Sequence, residues 1–300
     1  MTRDRDTRLA PRIILYGIGR LFPGGLDTAE RVDWLRAPLA GAPLYRRMLE
    51  PIHALGADII DVVDSGPGSR AFVELLTEHP CFGLRARLLA PQGFQGLVSE
   101  PLLIVPASGL FSIDLDEIVS ALYDGDDSLA PVTVTSMVCS DEDSEPLVAV
   151  PAGIVLSRDL IPEPYIAELI DDAAGVGREL VTRGEERLWR VDSPAALHEV
   201  ARAALQERTY DAVGDLSGSL LLGAHAKVSP DAVVDGVAAV GANSFVAPGA
   251  MLTDGAIIGE DCYIAEGALV SDAIVLDGTR LAPGDCVMST VHGAGGAFGD

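Results

Sequence analysis

From Leu222 to Val275 a branched aliphatic residue recurs at every sixth position: Leu222, Val228, Val234, Val240, Val246, Leu252, Ile258, Ile264 and Val270. Four places after each start stands a small residue, from Ala226 and Ala232 through Ser244 to Cys262 and Ala268, until Ile274 breaks the ninth hexad. Gly, Asp or Asn fills most positions between them (Asp231, Asn243, Gly249, Gly255, Asp261, Gly267). A period of six fits neither the helix period of about 3.6 nor simple strand alternation, and it marks a parallel β-helix. Each hexad is then a short strand plus a corner. The aliphatic points into a narrow core, the small residue sits where the backbone turns, and Gly, Asp or Asn supplies the corner conformation. Val228, Val234, Val240, Val246, Leu252, Ile258, Ile264 and Val270 are the expected core. Beyond Leu276 the pattern resumes at 277–287 one residue out of phase, a slip expected to end or bend the coil.

Upstream, the pattern changes to alternating strands and helices. Arg12–Tyr16 is an apolar strand that runs straight into Gly17-Ile18-Gly19-Arg20, and a strand followed by a glycine loop is where α/β proteins place phosphates. A helix opens at Pro43 and ends at Gly56, with Pro51 expected to kink it. Strands are expected at 59–63, 102–105, 132–138, 147–150, 154–156 and 188–191. Helices are expected at 69–78, at 114–123 behind an Asp114/Glu117 capping box, around 163–173 and 176–182, and after the Ser193 cap. The alternation predicts an α/β domain with a mostly parallel sheet. The expected organisation is a disordered charged tail (1–10), the α/β domain (11–213), the β-helix (214–288) and a flexible Gly/Ala-rich tail (289–300).

Composition narrows the function classes. The net charge of -24 repels phosphate backbones and anionic lipid, which argues against nucleic-acid and membrane partners. No apolar run reaches membrane-spanning length, and no signal-peptide segment follows the charged N-terminus, so a cytoplasmic location is expected. Four dispersed cysteines (Cys81, Cys139, Cys262, Cys286) indicate neither a disulfide framework nor a zinc site. The one lysine of the chain, Lys227, lies in the repeat.

The hexads resemble the hexapeptide-repeat family, whose left-handed β-helix takes three hexads per coil, which implies three coils over 222–275. The whole chain resembles the sugar-nucleotide pyrophosphorylases, nearest the mannose-1-phosphate guanylyltransferase-like branch. Gly17-Ile18-Gly19-Arg20-Leu21-Phe22-Pro23 is similar to the family's GxGTRLxP signature with the threonine position deleted. Ala40-Gly41-Ala42-Pro43-Leu44 is similar to its xGxPL segment. Ala152-Gly153-Ile154-Val155-Leu156-Ser157 resembles its NAGIYxxS strand, with Pro151 for asparagine. Trp189-Arg190-Val191-Asp192-Ser193-Pro194 resembles its WxDxxTP segment. The resemblance implies a Rossmann-like nucleotidyltransferase-type domain followed by a left-handed parallel β-helix. It also implies a chemistry in which a nucleoside triphosphate and a sugar 1-phosphate yield a nucleotide-sugar and pyrophosphate.

The departures fall on that chemistry. The family's Pro-Lys pair finds no lysine in 27–38, where Arg31 and Arg36 are the cations, and guanidinium does not reproduce a compact ammonium. The family's metal-holding aspartate falls at Ala107-Ser108, leaving Asp192 as the candidate metal-side carboxylate, which equally reads as a helix-terminal acid. The resemblance thus implies a degenerate, regulatory or scaffolding member. It would bind a nucleotide or nucleotide-sugar through Gly17, Gly19, Arg20 and Arg31, require Mg²⁺ only if catalytic, and form a homo-oligomer or a complex with an active homologue. One alternative is an active nucleotidyltransferase using arginines. Another is a hexapeptide acyltransferase with a histidine base, for which His225, at a solvent-facing corner, is the one candidate inside the repeat. His53, His79 and His198 are expected to cover surface, His292 to lie in the tail, and the acidic run 141–145 to be a solvated loop.

Overall fold

The computed structural model describes residues 10–39, 41–90, 96–97, 100–111, 115–123, 132–139, 144–150, 155–156, 180–207 and 214–298. The expected tail at 1–9, the Asp114 cap, the acids Asp141–Asp143, most of the segment resembling NAGIYxxS and the helix at 163–173 lie outside these residues. The described helices are α1 (Thr28–Leu35), α2 (Leu44–Ala54), α3 (Pro67–Glu78), α4 (Leu115–Tyr123) and α5 (Pro194–Glu207). Among the described residues no helix is long and apolar enough to cross a membrane. The chain divides into two compact units, 1–21 with 48–190 and 22–47 with 191–300. This division cuts across the expected boundary at 213/214: the stretch around α1 and the whole of α5 group with the coil.

The first unit is built on an eight-stranded sheet. Its strands are β1 (Arg12–Tyr16), β2 (Ile59–Val63), β3 (Arg85–Leu89), β4 (Leu102–Pro106), β5 (Gly109–Phe111), β6 (Val132–Cys139), β7 (Ser144–Val150) and β8 (Leu180–Arg190), in the order β3-β2-β1-β4-β7-β6-β8-β5. β3, β2, β1 and β4 are mutually parallel. The unbroken apolar run Ile13-Ile14-Leu15 suits a central strand covered on both faces, and all three residues are buried. The other half departs from the expected parallel sheet: β7 is antiparallel to β4 and to β6, and β8 is parallel to β6 but antiparallel to β5. The helix expected at 176–182 is likewise corrected, since 180–182 open β8, whose pairing with β6 carries them in the sheet. Propensity in a short segment yields here to a ladder partner distant in sequence.

One buried charge crosses this sheet. Asp61, in the middle of β2, is 1% exposed and accepts from Arg12 Nε of β1 at 2.7 Å and from Arg87 Nη2 of β3 at 3.1 Å; Arg87 Nε bonds its other oxygen. Burial raises the cost of ionising Asp61, but the hydrogen bonds and charges of Arg87 and Arg12 outweigh it and hold the carboxyl below its ordinary range.

The second unit contains the coil, a parallel β-helix of three ladders. One ladder runs through 220–222, 238–240, 257–258, 274–275 and 291–293, the second through 227–228, 245–246, 263–264 and 280–281, and the third through 233–235, 251–253, 269–271 and 286–288. Val240, Val246, Leu252, Ile258, Ile264 and Val270 are at most 1% exposed and pack as one core with Ala238, Ala250, Ala256, Cys262 and Ala268. Val228 and Val234, in the first coil, are only partly buried. Among the described residues no preceding coil covers their outer side.

The phase slip does not end the ladders, and it arises earlier than expected, between Ser271 and Ile274. Phe245 pairs with Tyr263, 18 residues on, whereas Tyr263 pairs with Arg280, Leu269 with Cys286 and Ile274 with Val291, each 17 residues on. The missing residue is taken out of a corner. Three residues separate Thr253 from Ile257, but only Asp272 and Ala273 separate Ser271 from Ile274, and Asp272 turns the chain with φ 48. Ala273 becomes the small inward residue, Val275 the inward aliphatic, and Leu281 and Val287 continue the core. The strands 274–275, 280–281 and 286–288 thus add a fourth coil to the three expected over 222–275. The expected loose tail is corrected as well, since Val291–Gly293 extends the first ladder and pairs antiparallel with Gly296–Ala297. Phe298 packs on Trp34 with ring centroids 6.0 Å apart.

The outer face of the first ladder is covered. Leu221, Ala239, Ile257 and Ile274 alternate with the inward residues and are all buried. α1 begins at an Asp27/Glu30 capping box and carries in its last turn the fully buried Trp34, whose Nε1 donates to Val191 O at 3.1 Å. A tight hairpin, Pro38–Leu39 with Ala42–Pro43, follows and is held by the buried Arg47, whose Nε donates to Leu39 O at 3.2 Å. α5 is capped as expected, with Ala196 N donating to Ser193 Oγ at 3.2 Å and Pro194 in the first turn.

Candidate functional site

The glycine loop sits at the carboxyl end of β1. Gly17 has φ 76, a conformation that side chains with a Cβ resist, and it turns the chain into the 3-10 helix Ile18–Leu21, where Arg20 N donates to Gly17 O at 2.9 Å. The carboxyl ends of β2 and β4 come to the same edge. After β2, Ser65 N donates to Ser69 Oγ at 3.2 Å, the two hydroxyls are 2.9 Å apart, and Gly66 N donates to Asp64 Oδ1 at 3.2 Å. A Cβ on Gly19 would stand 3.4 Å from Ser65 Oγ, so loop and turn are neighbours. After β4, Ala107 N donates to Tyr16 O at 2.7 Å. This is the edge at which open parallel sheets receive ligands. Arg20 is exposed there, and Arg70, paired with Asp64 at 3.0 Å, holds that carboxyl below its usual range.

The other residues singled out in the sequence are distributed differently. Ala107 and Ser108, where the resemblance places a metal carboxylate, are both buried beside β1. Arg31 lies on α1 and Asp192 just before α5, both in the second unit, so neither shares a unit with the loop. The cap of α5 is Ser193 rather than Asp192. Among the described residues no group of three His, Cys, Asp or Glu side chains is placed to hold a metal ion. His225 is exposed at a left-handed corner, φ 60, as expected. His53 stacks on Phe82 at 4.6 Å, and His79 ends α3. His198 is corrected. It is buried, with Nε2 3.5 Å from Asp272 Oδ1 yet lacking hydrogen-bond geometry, and burial pulls its pKa down.

The second unit holds a cavity of about 490 Å³ that sequence reasoning missed. It opens between the Pro38–Pro43 hairpin and the corner that follows the first ladder, with Arg36, Glu260 and Asp277 as its charged walls. Gly223, Gly241 and Gly259 stack at this corner. A Cβ on Gly223 would lie 2.5 Å from Ala242 N, and one on Gly241 2.5 Å from Gly259 C, so these glycines let successive coils approach. Asp277 stands on the fourth coil beside Gly259, and its Oδ1 accepts from Glu260 N at 2.8 Å. Burial, reinforced by the charge of Glu260, pushes the Asp277 carboxyl up to about 6. The only sequence signal for this place was the recurrence of Gly223, Gly241 and Gly259 at 18-residue intervals.

A family model described as bacterial transferase hexapeptide (six repeats) matches residues 238–272, the centre of the coil. No curated protein matches the chain.

Proposed function

We propose that the chain is a degenerate sugar-nucleotide pyrophosphorylase-type protein. In this reading a Rossmann-like nucleotidyltransferase domain joins a left-handed hexapeptide coil and binds a nucleotide or nucleotide-sugar as a cytoplasmic regulatory or scaffolding subunit. It does so as a homo-oligomer or beside an active homologue. The observation that carries the reading is the loop at the end of β1, where a left-handed Gly17, Gly19 and the exposed Arg20 meet the Ser65–Ser69 turn. The central order β3-β2-β1-β4 supports it too, since dinucleotide folds build their crevice on the same order.

Binding and transfer make different demands. Backbone N–H groups and one guanidinium suffice to hold a phosphate, whereas phosphoryl-type transfer rests on positioning and full charge neutralisation. Mg²⁺ wants carboxylate and other hard oxygen ligands, and Ala107-Ser108 supplies no carboxylate where the resemblance expects one. The described residues do not fit the metal. Calorimetry with nucleoside di- and triphosphates and sugar nucleotides, run beside a pyrophosphate-release assay, tests the reading. The expected result is binding without pyrophosphate, weakened by Arg20→Ala by about 1.5–3 kcal/mol, the range for a hydrogen bond to a charged group. Release of pyrophosphate would instead make the chain an active, arginine-using enzyme, and silence from every ligand at millimolar concentration would remove the nucleotide. The family match at 238–272 favours one second reading, a hexapeptide acyltransferase, which thiol release from acyl-coenzyme A would reveal.

A further inference from the structure

The cavity beside the glycine column lies wholly within the second unit, and its walls are selective. Its apolar side is formed by the part-buried Pro43 and Ala242, beside the outer face of the first ladder, where Leu221 and Ile257 are themselves buried. Its polar side brings two carboxylates, Glu260 and Asp277, against one guanidinium, Arg36. The carboxylate of Asp277 is aligned by the bond from Glu260 N to Oδ1, and Oδ2 has no hydrogen-bond partner among the described residues. The column of glycines lets successive coils approach, which brings Asp277 of the fourth coil against Gly259 of the third at the cavity wall.

We infer that this cavity binds a small organic cation, a primary amine or amidine carried on an apolar body, with Asp277 Oδ2 as its anchor. A volume of about 490 Å³ is in the range of small-molecule sites and too small for a macromolecular partner. The walls carry one more acid than base within a chain of net charge -24, which disfavours an anion. A bare divalent ion is disfavoured because hard cations want six or more oxygen ligands, and the greater part of this lining is apolar or backbone. An ammonium or amidinium donates to Oδ2 while its body covers the floor. The position of the Asp277 titration, pushed up by burial, agrees with a carboxylate whose charge Arg36 compensates only in part. A bound cation supplies the rest.

Benzylamine and benzamidine, with benzyl alcohol and benzoate as body-matched neutral and anionic probes, test this by calorimetry on the full chain near pH 7.5. Both cations should bind, benzyl alcohol at least about tenfold more weakly, and benzoate not detectably. Asp277→Asn should lower cation affinity at least about tenfold and leave benzyl alcohol unchanged, and wild-type protein near pH 5 should show the same loss. Glu260→Gln, at an exposed position, should lower it a few-fold, with circular dichroism and a cooperative melt establishing that both variants fold. Equal affinity for benzylamine and benzyl alcohol, retention of cation binding by folded Asp277→Asn, or silence from all four probes would overturn the inference. None of these outcomes depends on nucleotide binding at Gly17–Arg20, so the two readings stand or fall separately.

Discussion

Arg12 Nε lies 2.7 Å from Asp61 Oδ2, joining two neighbouring strands of the parallel half-sheet across a buried carboxylate that Arg87 grips from the other side. A buried acid in the middle of an apolar strand is tolerated only when it is paired, and removal of Arg12 leaves Arg87 to compensate it alone. The pairing has a defined pH signature. The folded pKa of Asp61 is depressed, so its contribution is fully present above the unfolded value of about 3.9 and is lost as pH falls through the lower folded value. Arg12→Ala should cost about 1.5–3 kcal/mol at pH 7, the range for a hydrogen bond to a charged group, because Arg87 still pairs with the carboxylate. Urea unfolding from neutral pH downward checks this: the gap between wild type and variant should narrow only below about pH 4.

Asp277 predicts the opposite slope. Its folded pKa is raised to about 6, so ionising it costs the folded state, and that cost develops as pH climbs from the unfolded value of about 3.9 to the folded one. Asp277→Asn should therefore be more stable than wild type near pH 7.5 and indistinguishable from it below pH 4. Thermal melts across that interval measure the difference. A variant less stable at neutral pH would mean that the bond to Glu260 N outweighs the burial cost.

Two glycines of the coil should respond to alanine for different reasons. Gly241 has its would-be Cβ 2.5 Å from the Gly259 backbone, which cannot yield without parting the coils. Gly267 has open space around it but φ 70. Gly241→Ala should cost about 3 kcal/mol, the upper range for overpacking, whereas Gly267→Ala should cost about 1 kcal/mol from left-handed strain. Denaturant unfolding of the two variants, compared pairwise, separates a close approach from a corner conformation.

The thiols should differ in reactivity. Cys262 is buried in the coil, donates to Leu276 O at 3.1 Å, and has its pKa pushed up to about 11 by burial. Cys286 is exposed on the third ladder. Iodoacetamide near pH 8 should label Cys286 in the native protein and leave Cys262 unmodified until unfolding, because the thiolate is the reacting form. Mass spectrometry of the labelled peptides reads this directly.

The sequence by itself determined the coil. Each hexad repeats the same local constraint, an inward aliphatic followed by a small residue and a turn former, so Val240 to Val270 could be placed inward without a partner in view. The cap at Ser193 and the turn at Gly17 were legible for the same reason, being set within a few residues. Tertiary structure alone decided what links distant positions. Asp61 finds Arg12 and Arg87, 49 and 26 residues away, and Trp34 finds Val191, 157 residues away. It also decided that the lost residue after Ser271 would be absorbed at the Asp272 corner, because parallel pairing on three ladders outweighs one shortened turn. The Asp277 cavity is of the same kind. Its walls come from the α1–hairpin segment and from coils that local periodicity orders along the axis but does not cover.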